Sequence, residues 1–359
     1  MSGREALQTG TRLGDCEILS VLGEGGFGIT YLAWDADLRS NVALKEYFPS
    51  EFAYRQDSTA AVVSRSLAAE ADYEKGLEEF QREARLLARF KHANIVRVRK
   101  FHRANNTAYM VMDHEQGSDF GSWLAALKRP PRQEELDPIA SGVLDALELI
   151  HDNGMLHRDI APDNILIRAD ASPVLLDFGA ARQDYAARSH TLQAIVKPGY
   201  SPPEQFAFTP KSQGPWSDIY SFSATLYLAV TGLVPPEAPN RVIQDDCVPA
   251  AQAARGDYRR GFLRAIDHGL AILPDDRPRS IADWREELLS NAAATRPFTP
   301  EGPDEEASGS DGEAGTRPAH RSSGDAAAKP QRTGAFGPVL VIIGMVLALV
   351  AVAMVIAGS

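Results

Sequence analysis

The sequence predicts an α+β fold over most of its length, followed by a polar tether and one apolar span. Short strand-like runs crowd the first third: Cys16 to Val21, Ile29 to Ala33, Val42 to Lys45 and Ala108 to Met112. Helical spacing follows in Leu77, Phe80, Ala84, Leu87 and Ala88, and again from Ile139 to His151. Apolar residues at three- and four-residue intervals share one face of a helix. Near Asn291 the composition changes to Pro, Gly, Ser, Ala and interspersed charge as far as Gly334. Such a mixture cannot bury enough apolar surface to offset the entropy of ordering, so it reads as a disordered linker.

The chain's 359 residues, 44% of them hydrophobic, leave room for one large domain or two ordinary ones. A net charge of −11 without a basic cluster in the folded part lacks the footprint of a phosphate backbone, which argues against nucleic acid as a partner. Cys16 and Cys247 are too few for a disulfide framework and are not spaced for a metal, so both are expected to be reduced, buried thiols. No basic-then-apolar signal opens the chain. Val339 to Ile356 is apolar apart from Gly344, and with its flanks reaches the roughly 20 residues a membrane-spanning helix needs. Lys329 and Arg332 precede this span and favour a cytoplasmic position for what comes before it. The expected organisation is a catalytic domain over residues 11–293, a linker over 294–336 and a transmembrane helix over 337–357, anchored in the inner membrane by a single pass.

The motifs inside residues 11–293 carry chemistry. Leu22-Gly23-Glu24-Gly25-Gly26-Phe27-Gly28 lies between two strand-like runs, where glycines permit a tight hairpin and let backbone amides approach phosphates. A dinucleotide-binding turn would be followed by a helix; here a strand follows, Val42-Ala43-Leu44-Lys45. His157-Arg158-Asp159-Ile160-Ala161-Pro162-Asp163-Asn164, followed by Asp177-Phe178-Gly179, spaces a base, an amide and a carboxylate as phosphoryl transfer requires. Pro202-Pro203-Glu204, then Trp216-Ser217-Asp218-Ile219-Tyr220-Ser221, then Asp276-Arg277-Pro278 come next. In this order the motifs resemble the protein kinase family. The run Tyr47-Phe48-Pro49-Ser50-Glu51-Phe52 looks like one branch of its bacterial, membrane-linked Ser/Thr members.

The resemblance implies a bilobal fold, a β-rich N-lobe with one main helix above a larger helical C-lobe, with ATP and Mg2+ between them. It implies that Gly23, Glu24, Gly25, Gly26, Phe27 and Gly28 cover the phosphates. Lys45 would hold the α- and β-phosphates, and Glu83 would orient that lysine. Thr30, Ala43 and Leu166 belong to the nucleotide site, Met112 falls at the gatekeeper position, and backbone groups of Asp113 and Glu115 face adenine. Asp119 is read either as a ribose acceptor or as a helix-start residue. Asp159 is the catalytic base, and Asn164 and Asp177 hold Mg2+. His157 and Phe178 are packing residues, while Glu204, Arg277 and Asp218 are structural. Protein hydroxyls are the implied substrates.

Three residues depart from the family pattern: Thr30 where valine is usual, Ala161 where Ser/Thr kinases have lysine, and Lys197 where they have threonine. The last two read as one exchange, in which Lys197 extends into the room vacated at Ala161 and approaches Asp159. A solvent-facing Lys197 in a slow enzyme or a pseudokinase scaffold is the alternative; a small-molecule phosphotransferase is a weaker one. Arg158 is expected to pair with a phosphate on Ser189 or Thr191, or less readily on Tyr185. Gly344 with Ala348, and Ala353 with Ala357, have the small-residue spacing of pairing membrane helices and suggest a homodimer.

Overall fold

The computed structural model describes residues 5–56, 59–178, 196–206 and 212–290. Tyr185, Ser189, Thr191, the linker 294–336 and the predicted span 337–357 with its small-residue pairs lie outside them. Among the described residues no helix is long and apolar enough to cross a membrane.

The N-lobe is a six-stranded antiparallel sheet ordered β1-β2-β3-β4-β8-β7. Its strands are β1 (Arg12–Leu13), β2 (Cys16–Gly25), β3 (Gly28–Asp35), β4 (Ser40–Tyr47), β7 (Val98–Ala104) and β8 (Thr107–Asp113). Period-two patterning decides which face is covered: Ile29, Tyr31, Ala33 and Asp35 of β3 are buried while their neighbours are not. Strand β2 runs on through Gly25, so the glycine-rich segment is itself the hairpin between β2 and β3. The packed domain begins before Thr11, because Leu7 is buried and donates its backbone N–H to the Tyr31 hydroxyl.

Between β4 and β7 the chain inserts a hairpin, β5 (Ala53–Arg55) with β6 (Val62–Ser64), and then the long helix α1 (Leu67–Leu87). Ser66 starts that helix by accepting from Ala69 N. Leu77, Phe80, Ala84 and Leu87 are all buried, as their spacing predicted, whereas Ala88 is the exposed C-cap of the helix, and α1 packs on β7 and β8. The insertion is fastened by a buried charge. Glu46 accepts from the Tyr31 hydroxyl at 2.7 Å, the Tyr109 hydroxyl at 2.8 Å and Arg55 Nη2 at 2.6 Å. Arg55 spends its other donors on the Glu5 and Ala60 carbonyls and lies over the Phe48 ring. Burial, and then the charge of Glu46, hold both tyrosines far above their ordinary pKa, so they stay neutral donors. One carboxylate therefore ties β3, β4, β8 and the inserted hairpin together.

The C-lobe contains α2 (Phe120–Leu127), α3 (Gln133–Asp152), α4 (Pro203–Phe206), α5 (Pro215–Thr231), α6 (Ala238–Ile243), α7 (Ala250–Ala253), α8 (Arg260–Gly269) and α9 (Ile281–Leu289). A three-stranded sheet ordered β11-β10-β9 joins Pro173–Leu175, Ile165–Ile167 and Ser118–Asp119. Helix α5 is buried nearly all round, including Ser217, Ser221 and Thr225, so it is the central helix of this lobe. The Ser221 and Thr225 hydroxyls bond back to carbonyls one turn earlier, which satisfies them without water. Trp284 of α9 is fully buried edge-on to Phe222 of α5 and donates Nε1 to the Ala265 carbonyl.

Removing one partner of the buried Glu46–Arg55 pair leaves a charge without compensation. Arg55→Ala is therefore expected to destabilise the protein by about 3–5 kcal/mol in urea unfolding; Glu46→Gln, which leaves the buried guanidinium without its counter-charge, is expected to destabilise it as well.

Candidate active site

The two lobes enclose a cleft of roughly 630 Å³, a size typical of small-ligand sites. Its roof is the β2–β3 hairpin, where Gly23, Glu24, Gly25, Phe27 and Gly28 line the cavity. Gly28 is required by close approach: a Cβ there would sit 2.4 Å from the Glu46 carbonyl oxygen across the sheet. Thr30, Ala43, Met112 and Leu166 add an apolar wall, and Asp113 and Glu115 lie at its edge. The carboxylates of those two are already engaged, Asp113 with Arg99 and Glu115 with Arg168 at 2.9 Å, and the Asp113 N–H donates to the Arg97 carbonyl at 2.9 Å. Gly26 and Asp119 do not line the cavity. Asp119 caps α2 by accepting from Ser122 N at 2.8 Å, so the helix-start alternative describes it.

The floor is built on Asp218. This wholly buried carboxylate accepts from His157 N at 2.8 Å and Arg158 N at 2.7 Å, while His151 Nε2 lies 2.8 Å away. Arg158 has φ of 68°, a left-handed conformation that a non-glycine residue adopts only when its surroundings impose it. Asp218 imposes it from one side, and Gln205 Nε2, bonding the Arg158 carbonyl at 2.9 Å, from the other. Asp159 follows on this fixed turn. Asn164 Nδ2 donates to Asp159 Oδ2 at 2.7 Å and to the Asp159 carbonyl at 2.6 Å, which orients the carboxylate and turns the amide oxygen of Asn164 away from it. Asp177, also at positive φ, faces the same space.

His157 is buried against Phe178, with ring centroids 4.5 Å apart, and its Nε2 meets the Leu176 carbonyl at 2.9 Å. Burial lowers its pKa, so it packs as a neutral ring, in agreement with its sequence reading. Glu204 and Arg277 form a buried pair at 2.7 Å, with Ser217 Oγ donating to the same carboxylate and Arg277 lying over the Tyr220 ring. Cys16 is buried, and burial, then the neighbouring Asp35, push its thiol up to about 11, which makes it inert. Cys247 is partly buried; both cysteines are free thiols.

Lys45 and Glu83 both line the cleft, and Glu83 is buried. The ion pair of Lys45, however, is with Asp177 at 3.0 Å. Glu83 lies in the same cleft as the lysine it is expected to orient, and the carboxylate that meets the ammonium is that of Asp177. Lys197 also reaches the cleft. Its Nζ lies 3.5 Å from Asp159 Oδ1, within the reach that the Ala161 exchange demanded, and contacts both Asp163 oxygens at 2.7 and 2.8 Å. Asp163 is the site residue that the sequence reading passed over; Val96, Tyr47 and Phe80 also line the cavity without any chemical signal to announce them.

Among the described residues no group of three or more His, Cys, Asp or Glu forms a metal cage. A Mg2+ site in a phosphate-binding cleft does not need one, since one or two protein oxygens plus phosphates and water complete its shell. Asn164 and Asp177 supply such oxygens, so the donor set fits.

Residues 16–252 match the protein kinase domain model. The chain belongs to the protein kinase family. It is 30% identical to the serine/threonine-protein kinase pkn2 of Myxococcus xanthus over 80% of its length and 29% identical to PknB of Mycobacterium leprae over 79%. It spans 34% and 44% of those relatives' lengths. Among solved structures, the apo form of PpkA-294 is 37% identical, with a TM-score of 0.71 over 79% of this chain and 99% of that one. Rad53 1-466 in complex with AMP-PNP is 25% identical, with a TM-score of 0.53 over 75% and 64%. The bilobal kinase fold is thereby shown.

The Asp218 carboxyl is raised by burial but lowered further by its hydrogen bonds with His151 and with the Arg158 amide, and ends below its ordinary 3.8. A depressed carboxylate contributes stability that is complete above the unfolded-state pKa and is lost as pH falls through the folded one. The urea midpoint is therefore expected to fall as pH drops below about 4, and Asp218→Asn should lower it at neutral pH while removing part of that acid dependence.

Proposed function

We propose that the protein is a Mg2+-dependent Ser/Thr protein kinase, and that its catalytic domain is held at the cytoplasmic face of a membrane. The observation that carries the kinase reading is the fixed turn on Asp218, which carries Asp159 into hydrogen bonds with Asn164, while Asn164 and Asp177 line the cleft beneath a glycine hairpin. A substrate hydroxyl bonded to Asp159 attacks the γ-phosphorus of ATP. The oxygen–phosphorus bond forms while the bond to the bridging β-phosphate oxygen breaks, ADP keeps that electron pair, and the hydroxyl proton passes to Asp159. Lys45 holds the α- and β-phosphates. Mg2+, held by Asn164 and Asp177, neutralises phosphate charge when bound. The AMP-PNP bound to Rad53 supports ATP as the nucleotide. The serine/threonine kinase relatives support protein hydroxyls as acceptors.

Phosphate incorporation from labelled ATP into a general protein substrate, with Mg2+, tests the reading. The full chain is expected to transfer phosphate, and Asp159→Asn to lose about 10²- to 10⁴-fold in rate; a full chain that transfers none overturns it.

The anchor rests on residues 337–357, whose apolar run matches a hydrocarbon core in length. The full chain is expected in the membrane fraction after alkaline carbonate extraction, and a variant lacking 337–357 in the supernatant.

A further inference from the structure

Resting on the kinase reading, we propose that Lys197 supplies the transferring phosphoryl group with its cation from the turn over residues 197–201, and that Asp163 holds it beside Asp159 until nucleotide arrives. Lys45 and Lys197 are the two lysine or arginine side chains among the described residues that line the cleft. Lys45 stands at the Asp177 end, at 3.0 Å. Nothing cationic can come from position 161, where a buried alanine stands. Among the described residues, the ammonium at the end of the cleft lined by Asp163 and Asn164 is that of Lys197, which also lies 3.5 Å from Asp159.

Charge that develops on a transferring phosphoryl group has to be met by fixed positive charge. Lys197 is fixed from its backbone. Its N–H donates to Ser201 Oγ, and its carbonyl accepts from Tyr200 N and Ser201 N, all at 3.0 Å. The turn is seated on the stretch after α5: Gly199 has φ of +80°, and a Cβ there would lie 2.3 Å from Val234 Cγ1 and 2.8 Å from the Pro235 carbonyl oxygen. Only glycine fits, so the turn has one place to dock, and docking is what aims the lysine.

A surface lysine that merely neutralised Asp163 would have no reason to turn inward, since the Asp163 side chain is 66% exposed. The Lys197 side chain is only 23% exposed and reaches a carboxylate that is 5% exposed. Its flexible stem and point-like ammonium allow the short move from Asp163 to an incoming phosphate. The consequence is coupling. Where the cation rides on the catalytic loop, that loop is complete by itself; here the site is complete only while the docking turn is seated, so ordering of that turn switches the chemistry on.

Titration calorimetry with Mg2+·ATP and Mg2+·ADP, on the full chain and Lys197→Ala, reads the contact without any turnover. The variant is expected to bind ATP about 10- to 100-fold more weakly, the strength of one hydrogen bond to a charged group, and ADP unchanged. ADP binding and an unaltered thermal midpoint show that it is folded. In phosphate transfer, kcat should fall about 10²- to 10³-fold. Ala161→Lys combined with Lys197→Thr should recover at least tenfold of that, because it returns the cation to the loop. An unchanged ATP affinity with kcat within threefold of the parent, or an equal loss of ATP and ADP binding, overturns the proposal. If the parent chain transfers no phosphate, the kinase reading fails, and the ATP-against-ADP difference alone decides whether Lys197 contacts the γ-phosphate.

Discussion

The catalytic loop of this protein stands on a turn that the backbone would not adopt unaided. Arg158 sits at positive φ because Asp218, at the start of the central C-lobe helix, binds two consecutive amides of the catalytic loop. A carboxylate accepting several backbone N–H groups in a dry site is a strong, directional clamp. Asp218 survives in that site because it is paid in hydrogen bonds, including one with His151 on α3. Helices α3 and α5 and the catalytic loop are thereby joined at one residue. The position of Asp159 inherits the rigidity of the whole lobe.

A second buried carboxylate plays the same part in the N-lobe. Glu46 adjoins Lys45 on β4 and points to the opposite face, where it gathers two tyrosines and the arginine of the inserted hairpin. Alternation along a strand explains why neighbours in sequence have such different duties. Lys45 looks into the cleft and Glu46 into the core, so the strand that delivers the phosphate-binding lysine is anchored immediately behind it.

Between these two anchors the cleft is electrostatically unfinished. Asp177 draws Lys45, and Asp159 together with Asp163 draws Lys197. Each ion pair joins groups that phosphate and a divalent cation would separate, since the cation is a better partner for carboxylate and phosphate a better partner for ammonium. The charges of the cleft are thus paired with one another, each ammonium with a carboxylate.

The sequence by itself determined the family, the order of lobes, the strands, the long helix, the glycine hairpin and the identities of Asp159, Asn164, Asp177 and Lys45. It could do so because those groups lie in short motifs whose order along the chain resembles the protein kinase family, and because a hairpin over phosphates is glycine-rich. Asp119 shows the limit of that logic, since a helix cap and a ribose acceptor call for the same residue type. Tertiary structure alone decided whose partner each charge is. Lys45 with Asp177, Glu46 with Arg55, and Lys197 with Asp163 all depend on distances between segments far apart in sequence. Asp163 could not be singled out from the chain, because a carboxylate beside a catalytic asparagine has no distinguishing pattern until a lysine from another loop is seen to meet it. Spacing records what one segment must do, and only packing records which other segment answers it.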